Sequence, residues 1–100
     1  MKIVILRSAE ADLRWYHHYY ESIFPEGRSN GRARFVAATR VLLQNPFAGQ
    51  PAEVAPCRKF AITGTPFHFL YRVAGKQIQV LQIKDGRSKP DRLPETPDET

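Results

Sequence analysis

The spacing of apolar residues changes once along this chain, and that change limits the folds open to it. From Ala9 to Leu43 apolar side chains recur every three to four residues, the period of a helix. From Arg58 to Ile83 they alternate every second residue, the period of a strand. A short aliphatic run, Ile3-Val4-Ile5-Leu6, precedes the helical part and reads as a buried first strand. Helices followed by a block of strands give an α+β domain, with the helices gathered over one face of an antiparallel sheet. The chain has 100 residues, which leaves no room for a second domain.

Local signals divide this outline into elements. Ser8 is a suitable N-cap for a first helix in which Ala9, Leu13, Tyr16, Tyr20, Ile23 and Phe24 share the apolar stripe, and Pro25 ends it. A second helix starts near Arg28, places Phe35, Val36, Thr39, Leu42 and Leu43 on one face, and stops at Asn45-Pro46. So short a joint makes the two helices an antiparallel hairpin. Residues 46–56 contain three prolines and Gly49 and read as a loop. Three strands follow, turning at Gly64-Thr65-Pro66 and Ala74-Gly75-Lys76, so they form a meander under the helical hairpin. In the last strand Ile78 and Val80 share one parity and Leu81 and Ile83 the other, which calls for a bulge or two covered faces. The order is β-α-α-β-β-β. The folded domain is expected over residues 1–88, with a flexible Pro-rich, charged tail over 89–100.

Charge is distributed in blocks. Residues 28–84 hold nine lysines and arginines against Glu53 alone, while the flanking segments carry a slight excess of acid. A cationic middle of this kind attracts polyanions, either nucleic acid or an acidic protein segment. Within it Arg28 and Arg32 stand four apart on one side of the second helix. Trp15 and Tyr19 form an aromatic pair beside the core stripe of the first helix, suited equally to packing or to a partner groove.

Other chemistries find little support. The single cysteine, Cys57, leaves no internal disulfide and reads as a small buried hydrophobe in a reducing cytoplasm. Adjacent His17 and His18 point about 100° apart on a helix and cannot share a metal at i, i+4 spacing, so no metal is expected. Nucleotide-binding and nucleophile-elbow motifs are absent, no cofactor is expected, and no apolar run approaches the roughly 20 residues of a membrane span. One catalytic reading stays open. Arg58, Lys59, His68, Arg72 and Arg87 form a basic set around the strands of the kind that cleaves RNA without a metal, the cations stabilising a phosphorane and a side chain moving the 2′-hydroxyl proton.

The ordered motifs resemble a known family. Leu42-Leu43-Gln44-Asn45-Pro46 with Gly49 and Pro51 behind it, Arg58 leading a strand, Gly64-Thr65-Pro66-Phe67, Leu70-Tyr71-Arg72-Val73, and Ile78-Gln79-Val80-Leu81-Gln82-Ile83 together resemble the RelE/ParE superfamily of type II toxin–antitoxin toxins, over about residues 2–90. The Gly-Thr-Pro-Phe turn and the Tyr71-Arg72-Val73 strand look most like the ParE branch. That resemblance implies a ParD-like antitoxin partner, encoded beside the toxin, whose C-terminal segment wraps and neutralises it. ParE-type members inhibit DNA gyrase, whereas RelE-type members cut messenger RNA on the ribosome. The ribonuclease branch ends its last strand with a catalytic histidine or tyrosine; this chain has neither after Tyr71. The resemblance therefore implies action by binding. Antitoxin contacts are expected at Trp15, Tyr19, Arg28, Arg32, Arg40 and Arg72, and target contacts at Lys84, Arg87 and Lys89. The alternatives are a RelE-type ribosome-dependent endoribonuclease using the basic set above, or a plain nucleic-acid-binding module.

Overall fold

The computed structural model describes residues 1–25 and 28–86, with the backbone alone at positions 28 and 29. Arg87, Lys89 and the whole 89–100 tail lie outside the described residues, as does the side chain of Arg28. The elements are β1 (Lys2–Ile5), α1 (Arg7–His18), a π-helical turn (Tyr19–Ile23), α2 (Arg28–Gln44), β2 (Gln50–Pro51), β3 (Arg58–Ala61), β4 (Phe67–Ala74) and β5 (Gln77–Asp85). This is the expected α+β order with one addition, since the 46–56 loop contributes the two-residue edge strand β2. The sheet runs β1-β5-β4-β3-β2, and β2 to β5 pair antiparallel. β1 joins β5 in parallel, Lys2 opposite Gln77 and Ile5 opposite Val80, so the sheet is mixed and not purely antiparallel.

The parity switch in the last strand has a geometric cause. Leu70 faces Gln82 and the next residue, Tyr71, faces Val80, so Leu81 is an extra residue that bulges from β5. Ile78 and Val80 are fully buried before the bulge, and Ile83, of the other parity, is buried after it. Past Ile5 the first strand has ended, and side chains of α1 take over the open edge of β5. Leu6 N–H donates to Val80 O, Ser8 Oγ–H donates to Leu81 O at 2.8 Å, and Ile83 N–H donates to Asp12 Oδ2 at 3.0 Å. Ser8 is accordingly not the N-cap. The helix begins two residues earlier than that cap implies, at Arg7, after an extended Leu6 with no side-chain cap, because the strand edge claims the serine hydroxyl.

One sheet face carries the core. Phe67, Phe69 and Tyr71 of β4 point towards the helices, as their alternation requires; Phe67 meets Tyr16, Tyr19 and Tyr20, and Phe69 meets Phe35, with ring centroids 4.9–6.2 Å apart. The helical stripes differ from the expected ones at two places. The π turn widens the last part of the first helix by one residue, and Ile23 and Phe24, assigned above to the inner stripe, are about half exposed. In α2 the buried line is Gly31, Phe35, Ala38 and Leu42, whereas Val36 and Leu43 face outward. Gly31 explains the choice. A Cβ there would stand 2.5 Å from the Tyr20 ring, and the Tyr16 hydroxyl donates to Gly31 O at 2.6 Å, so the small residue sets which side of α2 meets the first helix.

Candidate partner-binding surfaces

Turning Gly31 inward leaves a distinctive outer face on α2. Arg32, Val36, Arg40 and Leu43 follow one another at i, i+4, i+8 and i+11, a single exposed stripe. Val36 and Leu43 are 42% and 41% exposed, and no aspartate or glutamate occurs anywhere between 28 and 44. Arg32 reaches Glu21 at 3.9 Å, but both side chains are at least half exposed, and such a pair contributes little. His17, Glu21, Arg32, Phe35 and Val36 line a shallow groove where the π turn meets α2. Trp15 lies at the other side of that turn, 45% exposed, its ring 6.4 Å from that of Tyr19. Tyr19 is half-buried against Phe67 at 5.5 Å, so of the expected aromatic pair Trp15 is the open member and Tyr19 its support.

The basic set suggested by the strands is split between the two faces of the sheet. Arg58 stands opposite Tyr71, on the helix side, and its guanidinium donates to Gly49 O at 2.7 Å while covering the Phe47 ring at 5.1 Å. The Tyr71 hydroxyl donates to Pro46 O at 2.8 Å and accepts from Gly49 N–H at 3.0 Å. Arg58 and Tyr71 thus clamp the 46–51 loop to the sheet. Gly49 fits there because a Cβ would press to 2.7 Å on Lys59 O and on the Tyr71 hydroxyl. Burial, offset only in part by the Gly49 N–H bond and the Arg58 charge, pushes the Tyr71 phenol above its usual pKa. Tyr16 is pushed up further, by burial and by neighbouring Tyr20.

Lys59, His68 and Arg72 occupy the opposite, helix-free face, with Lys84 paired across from His68. Arg72 Nε donates to Gln79 Oε1 at 2.7 Å, and Gln79 Nε2 donates on to Gln77 Oε1 at 3.0 Å. Lys84 leans to the edge of the sheet, 3.5 Å from Asp12 Oδ1. Cys57 is buried, as expected of a small hydrophobe. Two of the determining residues escaped the sequence reading. Gly31 inside a helical pattern was a visible sign of close packing, whereas the Asp12 bond to the β5 edge left no local signal.

A solved structure described as the chromosomal ParDE TA system from P. aeruginosa matches this fold with a TM-score of 0.67 and 35% sequence identity, over 85% of this chain and 95% of that one. The chain belongs to the RelE/ParE superfamily, as a ParE-like toxin. No family model matches it, and no curated protein does. Membership rests on sequence and fold together, because at this identity and coverage the likeness extends beyond shared architecture. No helix among the described residues is long and apolar enough to cross a membrane.

Proposed function

We propose that this ParE-like toxin is neutralised by a cognate ParD-like antitoxin and acts by binding DNA gyrase, without breaking a covalent bond itself. The observation that carries the reading is the outer stripe of α2, where Val36 and Leu43 alternate with Arg32 and Arg40 and no acidic residue occurs on the helix. An amphipathic acidic segment suits such a stripe: its apolar side chains bury Val36 and Leu43 and its carboxylates meet the arginines. Trp15, supported by Tyr19, and Arg28 extend the same contact towards the helical joint. Arg72 lies on the far sheet face and would be reached by a segment that wraps the edge. Kinship to a chain from a ParDE system supports the antitoxin partner. Lys84, Arg87 and Lys89, at the end of the last strand and beyond it, are the proposed contacts to gyrase.

The ribonuclease alternative keeps Lys59, His68 and Arg72 together but separates Arg58, which is engaged with Gly49 O. Induction of the chain without its antitoxin distinguishes the readings. Loss of gyrase supercoiling with intact messages is the expected result; messages cut at codon boundaries would overturn it.

A further inference from the structure

We infer that the helix-free face of the sheet is a docking surface for the phosphate backbone of duplex DNA, separate from the α2 surface and independent of the gyrase reading. Both helices pack on the other side, so among the described residues no helix lies over this face, where Leu70 is buried among its strand neighbours. By strand alternation and register it presents Lys2, Lys59 and Arg72, with His68 on the same side; Lys84 has this parity too but is drawn to the sheet edge by Asp12. Neighbouring strands lie about 4.8 Å apart and like-facing residues about 6.7 Å apart along a strand. Lys59 and Arg72, one strand and two residues apart, are therefore separated by roughly 8 Å at the backbone. Asp85 has the parity of Phe67 and falls on the other face; Glu53 is the one carboxylate lining the shallow groove that holds Lys59 and His68.

The kind of polyanion follows from what this face lacks. A peptide partner needs apolar anchors, and the large exposed hydrophobics among the described residues lie on α1, the π turn, α2 and the loops, none of them on the outer face of β3, β4 or β5. Single strands are held by stacking on aromatic rings. Every described Phe and Tyr of the sheet has the parity of the helix side, which leaves His68 as the one aromatic ring of the described strands on this face, too little for a platform of successive stacked bases. Cations interspersed with glutamines match a phosphate backbone, which takes charge and amide donors alike and asks for no base contact. Arg72 is already oriented for that task. The amide relay from Gln77 and Gln79 holds it through Nε, while a phosphate is gripped by the terminal nitrogens of the fork.

The test uses the full chain, freed from its partner and refolded if necessary, with a fluorescein-labelled 24-base-pair duplex of arbitrary sequence. Anisotropy titrations from 50 to 200 mM salt are expected to give micromolar binding at the low end and a log–log slope of about −3. K59Q/R72Q should lower the slope by about 2, in line with two lost phosphate contacts, whereas R72K, which keeps the charge, should stay close to the parent. R14Q, a matched change on exposed α1, should have no effect. Circular dichroism and Tm of each variant establish that folding is intact. Three results would overturn the inference: no duplex binding at 50 mM salt, tighter binding to single-stranded RNA of the same length, or equal weakening by R14Q. None of them bears on supercoiling in the presence of gyrase, so the two proposals fail separately.

Discussion

Tyr71 joins three parts of the molecule through one hydroxyl. Its ring is fully buried in the core, and its oxygen bridges Pro46 O and Gly49 N–H in the loop that leads to β2. Tyr71→Phe keeps the ring and leaves that loop carbonyl and amide without their partner. The expected cost is about 1–3 kcal/mol, with the loss of hydrogen-exchange protection concentrated at residues 46–51. An unchanged denaturation midpoint, or protection lost evenly over the whole sheet, would show that the hydroxyl is not a local clamp. The raised phenols also set a pH limit. Tyr16 and Tyr71 are held protonated in the fold, above their unfolded value of 10.0. Their contribution is fully present below about pH 10 and is lost as pH climbs from there through the folded pKa values. Tm should be insensitive to these two groups between pH 7 and 9 and fall above 10, and Tyr71→Phe should lessen that fall. Gly31→Ala is the third residue-scale test. A methyl group 2.5 Å from the Tyr20 ring overpacks the helical joint, and a loss of about 1–3 kcal/mol is expected from chemical denaturation.

Among the elements, β5 depends most on its neighbours. β1 covers only the stretch up to Val80; beyond it Ser8 and Asp12 of α1 bond the bulged edge. Asp12→Ala removes the acceptor of Ile83 N–H and the carboxylate beside Lys84, and should cost about 1–2 kcal/mol while speeding amide exchange at Ile83 first. Exchange that stays slow there would mean that packing alone shields the edge. The meander was legible in the sequence because its turns carry their own chemistry: Gly75 adopts φ +60°, a conformation glycine takes without a Cβ penalty, and the period of two runs through Phe67, Phe69 and Tyr71. The bulge was legible as a parity switch. The outward turn of Val36 and Leu43 was not, since α2 is apolar on more than one side and only the contact of Gly31 with Tyr16 and Tyr20 selects the inner one. Ser8 shows the same limit: a good capping residue was captured by a strand edge 73 residues away.

For the whole molecule, the two-layer arrangement gives two cationic surfaces of different character. α2 offers apolar side chains alternating with arginines, and the helix-free sheet face offers cations between glutamines. Sequence resemblance and charge blocks foresaw a basic ParE-like scaffold. They did not show which cations share a face, because that depends on strand register and on the loop that takes Arg58 out of the set. The central claim is that the α2 stripe is where the antitoxin neutralises this toxin. Its direct measurement is the affinity of the purified chain for the product of the adjacent reading frame, by isothermal titration, with V36S/L43S compared against the parent. Both side chains are already about two-fifths exposed, so Tm should barely move. Affinity is expected to fall at least tenfold, with toxicity no longer relieved by co-expression. Unchanged affinity in a folded double variant would contradict the account.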